Sequence, residues 1–118
     1  MIIKKIDNTN IAIIEATEKI NSVRDISDLM ANAYYNECVG LVIKKEYLVE
    51  EFFDLKTRIA GEILQKFSNY NMKMSIIGDF SVYDSKSLRD FIYECNNGNL
   101  IFFKDTEEAG IDAIISKI

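Results

Sequence analysis

Residues 41–80, LVIKKEYLVEEFFDLKTRIAGEILQKFSNYNMKMSIIGDF, decide the fold. They begin with a short apolar run, Leu41-Val42-Ile43, and continue through a long helical pattern. They end in a second apolar run that we predict as a strand over residues 74–80. Two short apolar strands that flank a helix form a β-α-β unit, whose strands are parallel. The stretch therefore predicts an α/β fold with a largely parallel sheet.

The helical pattern inside this stretch is interrupted near its start. Apolar residues recur every three or four positions over 48–67, but Phe52 and Phe53 are adjacent and cannot both lie on one narrow stripe. Asp is a residue type that commonly caps helices, and Asp54 follows the two aromatic residues. We therefore predict a short turn and then a main helix that starts at Leu55, with Asp54 as its N-cap.

The segments before this unit predict a hairpin and a helix. Residues 2–6 and 10–16 have the composition of short strands, and the polar residues 7–9 join them. Ser22 followed by Asp25 matches the capping box that opens a helix. The N-terminal part therefore adds one antiparallel strand to the sheet.

The segments after the unit continue the alternation. Asp84 or Ser85 is suited to cap a helix, and residues 100–103 form a buried strand. A final helix follows, for which Asp105 or Thr106 is the expected cap. The predicted order is β-β-α-β-α-β-α-β-α: one α/β domain over residues 1–118, with a mixed, mostly parallel sheet of about five strands and four main helices.

Two glycine-containing positions carry local predictions. Gly61 lies inside the main helix, where it costs about 1 kcal/mol relative to Ala, which suggests a close approach between helix and sheet. Asn97-Gly98 follows the third helix and is typical of a left-handed C-terminal stop.

Composition narrows the function. The 118 residues include 14 basic and 19 acidic side chains, a net charge of −5, and no histidine. Without imidazole, Ser-His, Cys-His and His-ligated metal chemistry are excluded, and we predict neither a cofactor nor a metal site. The acidic balance argues against binding nucleic acid. Apolar runs of four residues are too short for a membrane span, so we expect a cytoplasmic protein.

The first candidate site is Asp54-Leu55-Lys56-Thr57-Arg58. A helix N-terminus exposes free backbone N–H groups and attracts anions, and Lys56, Thr57 and Arg58 would add donors. The plainer alternative is that Asp54 caps the helix while the two basic side chains are solvated.

The second candidate site is the loop after the strand predicted over 74–80. It offers carboxylates, hydroxyls and a phenol at the carboxyl end of a parallel strand, where α/β folds bind ligands. The residues are Asp79, Ser81, Tyr83, Asp84 and Ser85. The alternative is that Asp and Ser occupy turns and caps for conformational reasons alone.

The third candidate is aromatic. Tyr34-Tyr35 and Phe52-Phe53 are adjacent pairs on narrow elements, so we expect one member of each pair to be exposed. Exposed aromatic side chains often mark protein interfaces. The alternative is ordinary core packing with some solvated tyrosine edges.

Four sequence blocks carry a resemblance to a known family. The blocks are FFDLKT (52–57), AGEILQKFSNY (60–70), GDFS (78–81) and SLRDFIYE (87–94). They resemble a bacterial family catalogued only as a domain of unknown function, and the likeness covers nearly the whole chain. The family brings no activity with it.

A second resemblance concerns architecture. The predicted element order is similar to that of STAS domains, the anti-sigma-factor antagonist fold. The resemblance implies regulation through protein contacts and a phosphorylatable Ser or Thr at the start of the helix after the third strand. Thr57 is the nearest hydroxyl here, but Leu55 and Lys56 stand where that family has small residues.

Two functions follow as hypotheses. The first is a non-catalytic regulatory or interaction domain, homodimeric or bound to a protein partner, that uses the helix after the third strand and an exposed aromatic residue. The second is a small-molecule- or anion-binding domain, or a hydrolytic enzyme, with a pocket between residues 54–58 and 79–87. The missing histidine favours binding over catalysis, and no catalytic residue is predicted.

Overall fold

A computed structural model describes residues 1–18 and 20–118, and its elements alternate in the predicted order. The strands are β1 (Ile2–Ile6), β2 (Thr9–Ile13), β3 (Cys38–Lys44), β4 (Lys73–Ile77) and β5 (Ile101–Lys104). The helices are α1 (Val23–Tyr35), α2 (Ile59–Asn69), α3 (Lys86–Asn96) and α4 (Glu107–Ile115). The predicted class, a single α/β domain with five strands and four helices, is confirmed.

The five strands form one mixed sheet in the order β1-β2-β3-β4-β5. β1 and β2 are antiparallel, and each later pair is parallel. Asp7 and Asn8 join β1 to β2 with φ angles of 52° and 64°. Two consecutive left-handed residues make the turn that suits the twist of a two-residue hairpin. β2 therefore starts one residue earlier than predicted, and it ends at Ile13.

Three helices cover one face of the sheet and one helix covers the other. Because each parallel strand is the neighbour of the one before it, right-handed crossovers carry α1, α2 and α3 over the same face. Their apolar sides and that face of the sheet form the larger core, whose most buried large side chains include Ile26, Leu41, Ile63, Phe67 and Met74. α4 covers the opposite face in a smaller core with Val42, Ile77, Phe102, Ile111 and Ile114.

Close contact between α4 and β4 fixes this second layer. The hydroxyl of Ser75, which is fully buried, donates a hydrogen bond of 2.7 Å to the backbone carbonyl of Gly110. A Cβ atom at Gly110 would lie 2.5 Å from Cδ1 of Ile77. A side chain at position 110 would therefore force α4 away from the sheet.

The main helix after β3 starts later than predicted. Three 3-10 turns, Lys45–Tyr47, Glu50–Phe53 and Leu55–Thr57, fill the connection. Asp54 caps the third of these turns, and Arg58 adopts a left-handed conformation with φ of 65°. A left-handed residue cannot lie inside a right-handed α-helix. α2 therefore begins at Ile59, and the predicted start at Leu55 is wrong.

Two glycine-based predictions are also wrong. Asn97 has φ of −88° and ψ of −5°, and Gly98 is not left-handed, so α3 ends without a left-handed stop. Gly61 lies on the exposed side of α2, and a Cβ atom there would meet nothing within 4 Å. Its presence therefore does not reflect a close approach between helix and sheet.

A side chain occupies the outer edge of β5. The amides of Met74 and Gly78 donate to the carbonyls of Leu100 and Lys104, so the backbone of Phe103, between these two acceptors, faces away from β4. The Asn96 side chain accepts a hydrogen bond of 2.8 Å from the Phe103 amide and donates one of 3.2 Å to its carbonyl. The Asn96 amide thereby occupies the position that the peptide group of a further strand would take.

Candidate functional site

The carboxyl ends of three parallel strands meet at one edge of the sheet. β3 ends at Lys44, β4 at Ile77 and β5 at Lys104, and the segments 45–58, 78–85 and 105–106 follow them. Both predicted polar sites belong to these segments. The topology therefore brings them to the same edge, as the rule for ligand sites in α/β folds requires.

The Asp54–Arg58 segment is tied together by its own hydrogen bonds. The Asp54 carboxylate accepts a bond of 3.1 Å from the Lys56 amide. The Thr57 hydroxyl lies 2.7 Å from the Glu51 carbonyl and 2.8 Å from the Asp54 carbonyl, to which it donates. The side chains of Lys56 and Arg58 are exposed. The segment thus presents two exposed cationic side chains beside a hydroxyl whose proton is already hydrogen-bonded.

The loop after β4 uses most of its predicted residues for local structure. The Asp79 carboxylate accepts hydrogen bonds from the Ser81 hydroxyl at 2.6 Å and the Ser81 amide at 3.0 Å. These bonds, with a smaller contribution from Lys45, lower the pKa of Asp79 below its ordinary value of 3.8. Ser85 caps α3 by accepting from the Leu88 amide, and Asp84 is exposed.

Tyr83 joins its loop to the second 3-10 turn through aromatic packing. Its ring stacks on Phe53 with 4.9 Å between ring centroids and 17° between planes. The Lys45 ammonium lies 5.0 Å from the centre of the same ring. Burial, followed by the nearby Glu50 carboxylate, raises the pKa of Tyr83. Phe52 and Phe53 are both buried, so the prediction that one of them is exposed is wrong.

Two open grooves lie beside Gly78, and the 54–58 segment lines neither of them. The first, about 620 Å³, is named here the carboxyl-edge groove. It is lined by Gly78, Asp79, Phe80, Phe103, Lys104 and Asp105. The second, about 400 Å³, is lined by Lys44, Glu46, Tyr47, Ile77 and Gly78. Sequence reasoning omitted Lys45 and Lys104 from the site, although both lie at the carboxyl end of a predicted strand.

The carboxyl-edge groove lies where the chain changes faces of the sheet. β4 leads to α3 on the face of the larger core, whereas β5 leads to α4 on the opposite face, so a crevice opens between the two connections. Among residues 1–18 and 20–118, no group of three or more His, Cys, Asp or Glu side chains is arranged to hold a metal ion. The carboxyl-edge groove therefore offers a shallow polar surface with an aromatic floor.

A second surface lies at the opposite, amino edge of the sheet. Tyr34 and Tyr35 in the last turn of α1 and Tyr70 at the end of α2 form a tyrosine patch, in which Tyr34 lies 6.3 Å from Tyr35 and 6.0 Å from Tyr70 between ring centroids. All three side chains are exposed, Tyr35 by 84%. The prediction of one exposed member in the Tyr34-Tyr35 pair therefore understates the exposure of this pair.

A groove of about 520 Å³ runs beside the tyrosine patch and is named here the amino-edge groove. Its lining combines Tyr34 and Tyr70 with Val39, Met72 and Ile118. The charged residues that line it are Lys73 and Lys117, although the chain as a whole carries a charge of −5. The groove thus combines aromatic and apolar side chains with two lysines and two asparagines, Asn71 and Asn99.

Fold and surfaces together define the chain as a small α/β domain with an uninterrupted sheet, a shallow groove at one edge and an exposed tyrosine patch at the other. Residues 6–114 match the family described as Domain of unknown function (DUF4180), and the chain belongs to that family. No curated protein matches the chain, and no solved structure does. In the part of the chain that the structure describes, no helix has the length and hydropathy needed to cross a bilayer.

Proposed function

We propose that this chain is a regulatory, protein-interaction domain of the bacterial cytoplasm that binds a partner protein through the tyrosine patch. The observation that carries this proposal is the exposure of Tyr34, Tyr35 and Tyr70 in one cluster. Tyrosine combines a large apolar area with a polar tip and is enriched at protein interfaces. The element order, which resembles that of STAS domains, fits a role exercised through protein contacts.

The chemistry of the amino-edge groove defines the partner. Apolar and aromatic side chains line most of it, and its charged residues are Lys73 and Lys117. An extended segment with an apolar side chain next to a carboxylate would bury the first against the tyrosines and pair the second with a lysine. We therefore propose an acidic, apolar peptide segment of a partner protein as the occupant.

A peptide-display selection against the immobilised 118-residue chain tests this proposal. We expect enrichment of peptides that join an aromatic or aliphatic residue to Asp or Glu, and a loss of affinity of about tenfold or more in Tyr70→Ala, because Tyr70 lines the groove. Tyr93→Ala is the matched control, because Tyr93 is 71% exposed but lies on α3, outside the patch.

Mapping the selected peptides by amide chemical shifts decides between the two edges of the sheet. Shifts at residues 34–39, 70–73 and 117–118 support the proposal. Shifts confined to 78–80 and 103–106 would place binding at the carboxyl-edge groove and contradict it. Unchanged affinity in Tyr70→Ala would also contradict the proposal.

We propose a second candidate function, anion binding at the carboxyl edge, on a different observation. The side chains of Lys56 and Arg58 are exposed, and they follow Phe53, which stacks on Tyr83 of the neighbouring loop. Inorganic phosphate at about 10 mM should then shift the amides of residues 56–59 in a saturable way, and equal chloride should not. Equal responses to both salts would count against an anion site.

A further inference from the structure

The two outer edges of the sheet are protected to different degrees. At β5, the Asn96 side chain satisfies both backbone groups of Phe103. At β1, the side chains of Ile2, Ile3, Lys4 and Lys5 are all exposed, Ile2 by 49% and Ile3 by 38%. An exposed edge strand is a template for pairing with another strand.

The hairpin determines which backbone groups of β1 are free. The two-residue turn makes Ile6 and Thr9 a hydrogen-bonded pair, and such pairs alternate along antiparallel strands. Ile2 and Lys4 therefore bond to β2, while the amide and carbonyl groups of Ile3 and Lys5 face outward. Across the described residues, which exclude Lys19, no side chain hydrogen-bonds to these outward groups.

We propose that β1 pairs with β1 of a second copy of this chain, antiparallel and about a two-fold axis at Ile3. An axis at Lys4 or Lys5 would put that lysine directly opposite its own copy, and like charges directly opposite each other destabilise a sheet. An axis at Ile3 instead puts the two half-exposed isoleucines against each other. With this axis, neither Lys4 nor Lys5 lies directly opposite its own copy.

Charge supports the same register. With the axis at Ile3, Lys5 of one copy lies opposite Met1 of the other. Glu15 and Glu18 lie at that end of β1, with carboxylate oxygens 3.1 and 2.9 Å from the Met1 nitrogen. Two carboxylates beside one ammonium retain a net negative charge, which attracts the approaching Lys5. Lys4 is already paired with Glu107 at 3.0 Å and adds no free charge at the axis.

Sedimentation of the full chain over a concentration series tests the pairing. From about 10 μM to about 1 mM we expect the mass to rise from 13.6 kDa towards twice that value, as a small edge-to-edge interface allows. Ile3→Pro removes an outward N–H but no bond to β2, so it should stay at 13.6 kDa throughout. Ile3→Ala is its control, because it keeps the N–H group and should still associate, though more weakly.

A charge-reversal set tests the register without altering the backbone. Lys5→Glu should weaken association, and Lys5→Glu combined with Glu15→Lys should restore it, because the same two charges meet with their signs exchanged. A monomer at every concentration overturns the proposal, as does a dimer that persists in folded Ile3→Pro. If the dimer affinity is the same in Lys5→Glu and in the double variant as in the unchanged chain, the Ile3 axis is wrong. Peptide binding at the tyrosine patch is measured separately, so either proposal can fail alone.

Discussion

One hydroxyl group organises the connection between β3 and α2. The Thr57 hydroxyl proton is shared between the carbonyls of Glu51, in the second 3-10 turn, and of Asp54, between the second and third turns, and its oxygen lies 3.4 Å from the Ile59 amide at the start of α2. The segment needs such a bond because Arg58, a non-glycine residue, is held in the left-handed region. Thr57 therefore has a structural role that any modification of its oxygen would have to disturb.

We expect Thr57→Val to lower the free energy of unfolding by about 1 kcal/mol, because it deletes the hydroxyl that bonds the Glu51 and Asp54 carbonyls and leaves them only their backbone N–H donors. Urea denaturation followed by circular dichroism measures this loss. Thr57→Ser keeps the hydroxyl and is the control, expected within about 0.5 kcal/mol of the unchanged chain. Equal stability of the Val and Ser variants would mean that solvent replaces the Thr57 bonds without cost.

The pKa of Asp79 offers a second test at the level of single residues. The bonds from Ser81 favour the charged carboxylate, so the pKa is lowered and the bonded loop is fully formed above pH 3.8. The hydrogen-bonded loop is lost as the pH falls through the lowered pKa of Asp79. Ser81→Ala should raise the pKa of Asp79 towards its ordinary value in a carboxyl-carbon NMR titration. Ser87→Ala, on an exposed neighbouring serine, should leave that pKa unchanged, and a shift of equal size there would contradict the assignment.

At the scale of elements, two helical glycines make opposite predictions. Gly110 faces β4 with no room for a methyl group, whereas Gly61 faces open space. We expect Gly110→Ala to destabilise the chain by about 1–3 kcal/mol through overpacking. Gly61→Ala should stabilise it by up to about 1 kcal/mol through helix propensity. Thermal unfolding of the two variants measures both effects. If both substitutions shift the unfolding temperature in the same direction, the two glycines do not differ in environment as described.

The order of elements could be predicted from the sequence, but some of their boundaries could not. Alternating apolar strands and amphipathic helices give β-β-α-β-α-β-α-β-α directly. The start of α2 could not be located, because Asp54 is equally suited to cap an α-helix or a 3-10 turn. Phe52 and Phe53 are both buried because Tyr83, which is distant in sequence, covers Phe53. Local periodicity carries no information about such a contact.

At the scale of the whole molecule, the position of α4 was also beyond prediction. Right-handed crossovers place α1, α2 and α3 on one face, but no strand follows α4 among the described elements to fix its side by the same rule. Of the candidate sites, the sequence located both carboxyl-edge loops. It could not reveal the tyrosine patch, since Tyr70 meets Tyr34 only when α1 and α2 pack together.

The unequal cores predict unequal local stability. α4 packs over the smaller cluster, so its amides should exchange through local opening at a lower free energy than those of β3 and β4. Native-state hydrogen exchange measures this difference. Ser75→Ala should reduce protection in α4 further, because it removes the hydrogen bond to Gly110. Ser68→Ala, at an exposed position of α2, should not change protection in α4. Protection in α4 as strong as in central β3 would contradict a separately opening layer.

The amide of Asn96 also bears on how far such a protein can polymerise. A chain with two open sheet edges can add copies at both ends and grow into a fibre, whereas a chain with one open edge cannot. If β1 edges join two copies, the outward edges of the resulting ten-stranded sheet are both β5 edges, and each carries its own Asn96. A further copy that paired with β5 would have to displace Asn96 from Phe103, so we expect the assembly to stop at two subunits.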